Sequence, residues 1–370
     1  MLGGRAVARG LLVAAALAGC SGRSGGLGPP VSSAAVAAPP AALATTTTVV
    51  TSTTATTTTT TTTIGEARPG GEWTLLAVGD VLMDDTEAAG IDPFVAVRPA
   101  LAGADLAVVN AEMAIASGGV PEPKAFTFRA LPSAAARLAG AGVDVASLGN
   151  NHSLDFGPEA LLETIAHLRA AGVATVGAGA DADEAYAPAE FTVADVRVAV
   201  LGASRVLARR HWAAGEGPGV ASAYDERRLL AAVRAAAARA DVVIVAVHWG
   251  REGSPCPEPV QERLGAALLG AGASVVVGSH PHVLQPIVGD SRGVLAYSLG
   301  NFVFHHRRGA PGESGVLEVR FSGRRVVAHR LHPHVLDAGP PRPAGPESAA
   351  RIAAAASNPC LPLPSPAPPA

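Results

Sequence analysis

The chain has 370 residues, of which 48% are hydrophobic, and a formal charge of −3. No basic block is interleaved with aromatics, which excludes a nucleic-acid binder held by bulk charge, and the length allows one large folded domain or two small ones. Lys124 is the only lysine among residues dominated by alanine, glycine and arginine.

Arg5 and Arg9 precede an apolar run from Leu11 to Leu17, and the segment closes Leu17-Ala18-Gly19-Cys20. A basic start, an apolar core too short to span a bilayer and small residues before a break predict a secretory signal over residues 1–20. The last four residues resemble a bacterial lipobox, which implies cleavage before Cys20 and a lipid on its thiol. The alternative is an ordinary signal peptide with a chance cysteine. The expected location is extracytoplasmic, lipid-anchored to the bacterial cell membrane.

Residues 21–71 carry Gly, Pro and Ala, then a threonine tract from Thr45 to Thr63, with no apolar period. Such a segment buries too little surface to offset its ordering entropy and reads as a disordered stalk that gives reach. A folded domain is expected over 72–338. It opens with a strand, Trp73 to Asp80, followed by strands at Ala104–Glu112 and Val143–Asn151, with a helix near 133–141 between them. A helix over 158–171 has Pro158 in its first turn and Gly172 past its end. Strands at 173–176 and 196–201 precede a helix over 226–240. Val242 to His248 and Val275 to Ser279 read as buried strands around a helix at 261–269. A strand over Val294–Phe302 and a hairpin, 316–321 with 326–331, complete the pattern. Strands alternating with helices, then late hairpin strands, predict an α/β domain with parallel pairing and an antiparallel edge. Residues 339–370 read as a Pro/Ala-rich tail with room for a short helix near 347–356.

If Cys20 is lipidated, Cys256 and Cys360 remain, an even number in an oxidising compartment. A disulfide between them would staple the tail beside the His248 loop; the alternative is two unpaired thiols.

Several strand ends carry ligating groups: Asp80, Glu112, Asn151-His152, His248, and His280 with His282. Open α/β sheets hold ligands beyond the carboxyl ends of their strands, and neutral imidazole is a common metal ligand. Taken singly, Asp80 reads equally as a helix cap, Asn151 as a turn residue and His152 as a satisfied loop histidine. His211, His305, His306, His329, His332 and His334 lie outside this set, and His332-Pro-His334 reads as solvated or locally bonded.

The pieces Gly79-Asp80, Asn110-Ala-Glu112, Gly149-Asn-Asn-His152 with Asp155, His248-Trp-Gly-Arg-Glu252, Gly278-Ser-His-Pro-His282 and Tyr297-Ser-Leu-Gly-Asn-Phe302 together resemble the CapA family. That family is associated with poly-γ-glutamate capsule biosynthesis and is similar in fold to calcineurin-like metallophosphatases. The resemblance implies a four-layer α/β/β/α sandwich and one or two divalent metal ions, with manganese, iron and zinc as candidates. The implied ligands are Asp80, Glu112, Asn151, His248, His280 and His282. In two places the chain departs from the metallophosphatase pattern: Leu82 stands where a histidine is expected, and Glu112 replaces a bridging aspartate. His152, with Asp155 as its orienter, is the expected catalytic pair. Asn110, Arg251, Glu252 and Asn301 are expected to meet substrate, Arg251 through a carboxylate or phosphate, while Asn301 is also placed to bond the ligands.

Three functions stay open. The first is a membrane-tethered protein acting in synthesis, export or anchoring of an anionic polyglutamate, with capsule-synthesis membrane proteins as partners. The second is an extracytoplasmic metal-dependent phosphoesterase on a phosphate-containing substrate. The third is a non-catalytic polymer-binding scaffold.

Overall fold

A computed structural model describes residues 71–84, 90–305, 309–336, 339–357 and 360. The expected signal, the Cys20 lipidation site, nearly all of the stalk and residues 361–370 lie outside the described residues. Among those described, no helix is long and apolar enough to cross a membrane.

The first strands form as alternation and β-branching dictate. β1 (Glu72–Val81) is followed by helix α1 (Arg98–Ala102), β2 (Leu106–Ala111), the short pair β3 (Ala114–Ile115) and β4 (Arg129–Ala130), and α2 (Ser133–Gly140). Next come β5 (Val145–Ser147), α3 (Gly157–Ala170), β6 (Ala174–Val176), β7 (Ala178–Gly179), α4 (Ala182–Tyr186), β8 (Ala189–Val193), β9 (Val196–Ser204) and β10 (Gly219–Val220). The second half runs α5 (Glu226–Ala237), β11 (Val242–His248), α6 (Pro259–Gly270), β12 (Val275–Ser279), β13 (Ile287–Asp290), β14 (Gly293–Ala296) and β15 (Asn301–Val303). It closes with the hairpin β16 (Glu313–Ser322) and β17 (Arg325–Val335), then β18 (Arg342–Pro343) and α7 (Pro346–Ala356).

Two sheets stack face to face. The first has the order β18-β17-β16-β1-β2-β5-β6, with β15 also pairing to β1; the second has the order β13-β14-β12-β11-β9-β8. Leu75, Ala77, Leu106 and Val108 of the first sheet meet Val198, Val200, Ile244 and Val275 of the second in one buried cluster. The outer face of the first sheet packs Val109 and Ala146 against Leu101, Leu138 and Leu161 of α1, α2 and α3. The outer face of the second packs Val243 and Val245 against Leu229, Leu264 and Leu268 of α5 and α6. The result is the expected α/β/β/α sandwich of four layers.

Helix starts follow local chemistry. Asp225 caps α5 by accepting from the Arg228 amide at 3.1 Å, and Asp181 caps α4 by accepting from the Glu184 amide at 2.8 Å. In α6, Pro259 occupies the first turn and the Gln261 side chain accepts from the Glu258 amide at 2.9 Å.

Two expectations need correction. The strand anticipated over 294–302 is broken: β14 belongs to the second sheet, β15 to the first, and the chain changes sheets between them. Ser298 enforces the break, donating its hydroxyl to Val283 O at 2.8 Å and accepting from the Gly300 amide at 3.1 Å. The folded part also continues past residue 338. β18 pairs with β17, and Ile352 of α7 is buried against Leu284 and Val335. Cys256 and Cys360 are disulfide-bonded with their Cα atoms 5.7 Å apart, tying this tail to the loop after β11.

Candidate metal centre

Sheet register brings the ligating groups together. At the carboxyl end of β1, Asp80 pairs with Asn110 of β2 and with Asn301 of β15. In the second sheet, His248 ends β11 opposite Ser204 and Ser279. Both sheets end at the same edge, so two carboxylates and four imidazoles converge there from separate strands.

Glu112 lies at the middle. Its side chain is fully buried, and neither carboxylate oxygen has a hydrogen-bond partner. Oε1 lies 3.6 Å from His248 Nε2 and 3.9 Å from the Nε2 atoms of His152 and His282. Burial, then the nearby Asp80 charge, pushes the Glu112 carboxyl well above its usual range.

Two of these imidazoles, His248 and His282, are oriented by second groups. His248 has Ser279 Oγ at 2.9 Å from Nδ1 and Asn151 Oδ1 at 2.7 Å from Nε2. Burial, reinforced by His280 and His282, holds His248 neutral, far below its ordinary proton affinity. His280 is likewise lowered to about 4, chiefly by burial, and its Nδ1 is buried without a partner. His282 sits with Nδ1 3.1 Å from Asp80 Oδ2 and 2.8 Å from Asn301 Oδ1. Burial opposes its protonation, but the Asp80 hydrogen bond and charge outweigh burial and raise its proton affinity.

The donor atoms form three overlapping groups, each with all atoms within 4.8 Å of one another: Glu112, His248 and His280; Asp80, Glu112 and His282; and Glu252, His280 and His282. A buried carboxylate and a buried imidazole nitrogen left without partners are costly unless something cationic completes them. The mixed oxygen and nitrogen donors therefore suit a divalent cation.

His152 and Asp155 lie beside this cluster. His152 Nδ1 is 2.7 Å from Asp155 Oδ2, and the Phe128 ring packs 4.3 Å from the imidazole. Burial lowers His152 below its ordinary proton affinity, with Asp155 opposing. Asp155 also accepts from the Phe128 amide at 2.7 Å and forms an ion pair with Lys124. Lys124 had no assigned role in the sequence, although a single lysine in an arginine-rich chain is a signal in itself. Its Nζ donates to Asn151 O at 2.9 Å, so it braces two residues of the site at once.

Of the residues expected to meet substrate, two are bonded inside the cluster, as was also expected of Asn301. Asn110 is buried, donating to Asp80 Oδ1 at 2.8 Å and accepting from Asn150 at 3.1 Å. Asn301 is fully buried and bonds His282 from both ends of its amide. Both fix their neighbours, Asp80 and His282, because their amides are used up within the cluster. Arg251 is exposed, as is Glu252, whose carboxylate nevertheless reaches His280 and His282. Outside the site, His334 Nδ1 donates to His332 O at 2.8 Å and His332 pairs with Glu318, so that histidine pair is bonded locally.

The chain is a two-sheet α/β sandwich with carboxylates and imidazoles gathered at one sheet edge, a donor set that suits a divalent cation. The profile of the bacterial capsule synthesis protein family PGA_cap matches residues 74–306, and the chain belongs to that family. Among curated relatives, the capsule biosynthesis protein CapA of Bacillus anthracis is 33% identical over 206 residues, covering 55% of this chain and 50% of that protein. The PGA biosynthesis protein CapA of Bacillus subtilis is 36% identical over 161 residues, covering 43% and 42%. The chain spans about half the length, or somewhat less, of these curated relatives. Among solved structures, a 5'-nucleotidase from Staphylococcus aureus aligns at 15% identity with a TM-score of 0.46, covering 77% of this chain and 58% of that one. A hypothetical protein from Thermus thermophilus aligns at 18% identity with a TM-score of 0.46, covering 70% and 98%.

Proposed function

We propose that this chain is an envelope protein using a divalent cation in the synthesis, export or anchoring of an anionic γ-linked polyglutamate. In this reading it is held to the membrane through a lipid on Cys20 and works beside capsule-synthesis membrane proteins. Membership of the PGA_cap family and the names of the Bacillus relatives support the capsule setting. The observation that carries the cation is Glu112, whose two buried oxygens have no hydrogen-bond partner among the described residues.

Asp80, Glu112, Asn151, His248, His280 and His282 would hold the ion. When bound, it supplies Lewis-acid polarisation at the attacked centre. The chain's own residues do the rest. Asp155 accepts the Nδ1 proton of His152, which leaves Nε2 with a lone pair directed toward the Glu112 side of the cluster. That nitrogen accepts a proton from an attacking group and returns it to a leaving group, while Asp155 stabilises the imidazolium between the two events. Arg251, exposed beside the cluster, pairs with a polymer carboxylate. Asn110 and Asn301 keep Asp80 and His282 in place.

The test is genetic and chemical. Deletion in the source strain removes cell-bound γ-polyglutamate, wild type restores it, and His248→Ala does not. Surface polymer unchanged by the deletion would overturn the proposal. Rapid cleavage of bis(p-nitrophenyl) phosphate by manganese-loaded protein would replace it with the phosphoesterase reading.

A further inference from the structure

We propose that Glu252 is itself a metal ligand and not a substrate contact, closing the solvent side of the position formed by His280 and His282. This inference rests on the cation reading above.

The first ground is distance. Donor atoms of Glu252, His280 and His282 all lie within 4.8 Å of one another, as do those of the two other groups of the cluster.

The second ground is how the loop is fastened. The Trp249 amide donates to Ser279 O at 3.1 Å and the Gly253 amide to Pro281 O at 2.8 Å. These bonds pin both flanks of Arg251-Glu252 along the turn that carries the two imidazoles. Gly250 takes a φ of +87°, and a β-carbon there would meet Gln261 at 2.6 Å, so the loop leaves β11 along one route. Gln285 donates to Ser254 O at 3.0 Å and Cys256 O at 3.1 Å, and the disulfide holds the far end. A carboxylate on so constrained a loop is positioned, not swept past by chance.

The third ground is what Glu252 lacks. Among the described residues it has no cationic side chain as an ion-pair partner, while the neighbouring His280 Nδ1 is buried and unpartnered. A hard carboxylate and a free imidazole nitrogen facing one space form an incomplete coordination shell.

Manganese stoichiometry and affinity, measured by elemental analysis and titration calorimetry on the full chain, decide the matter. Glu252→Gln weakens one bound manganese by at least the ~10–100-fold typical of losing a supporting residue, while Arg251→Ala leaves binding unchanged. Melting of both variants in chelator matches wild type, which separates ligand loss from misfolding. Manganese affinity and count unchanged in Glu252→Gln would overturn this inference and leave the cation reading standing. A wild-type chain that binds no manganese, iron or zinc would overturn both.

Discussion

Glu112 Oε1 and His248 Nε2 lie 3.6 Å apart, one from the end of a first-sheet strand and the other from the end of a second-sheet strand. Neither sheet alone forms the site, so every perturbation of their stacking is a perturbation of the donor cluster.

Glu112→Gln should raise the stability of the metal-free protein and abolish the melting shift that added metal produces. The gain comes from removing a charge that burial and the Asp80 carboxylate disfavour, since the glutamine amide keeps the same two polar atoms in place. Its pH dependence has a definite sign. Burial raises the Glu112 carboxyl in the folded chain, so its stability is full below the ordinary carboxylate range and is lost as pH rises through the raised value. The advantage of the glutamine variant therefore appears at neutral and alkaline pH and vanishes in acid. Urea midpoints in chelator from pH 4 to pH 9 measure it.

Asp155→Ala should cost about 3 kcal/mol, because it strips one buried acceptor from Lys124, His152 and the Phe128 amide together. Lys124→Ala should cost less, since its side chain is partly exposed and solvent screens its charge. Denaturation of both variants beside wild type gives the ranking, and equal losses would contradict it.

Reducing the Cys256–Cys360 bond should lower stability by about 2–4 kcal/mol, since it closes a loop across 104 positions of sequence. Melting with and without a thiol reductant, with Cys256→Ser/Cys360→Ser as the control, reads this directly. The double variant should be insensitive to reductant.

His334 supplies an acid-side dependence. It is buried, and burial holds its proton affinity below the ordinary value. Its contribution is present above about pH 6.5 and is lost as pH falls, because the unfolded chain then binds the proton first. His248 and His280 act in the same direction. In chelator, the stability deficit of His334→Gln relative to wild type should narrow between pH 8 and pH 5.

The alternation of apolar runs and helices was enough to read the central strands of both sheets, because β2, β9, β11 and β12 are buried, β-branched apolar runs. What escaped had weaker local signals. β8 is an edge strand with only Val193 fully buried, and β13 at the opposite edge has no buried residue. Such strands carry little pattern of their own and form because a neighbour templates them. The change of sheet after Ala296 depends on Ser298 bonding to Val283, a contact no periodicity reveals. The residues that converge at the sheet edge were legible because most sit at or just past a strand end. The roles of Asn110 and Lys124 were not, because they depend on which side chain faces which after the sheets have stacked.

His280 and His282 adopt φ angles of 95° and 56°, backbone that residues with a β-carbon resist. Glycine would relieve that resistance at both places, so folding on its own selects against histidine in this turn. A library randomised there and screened for expression in chelator should drift toward glycine, whereas the same library screened with ion present should keep its imidazoles. The contrast between the two pools would separate what the turn needs in order to fold from what it needs in order to bind.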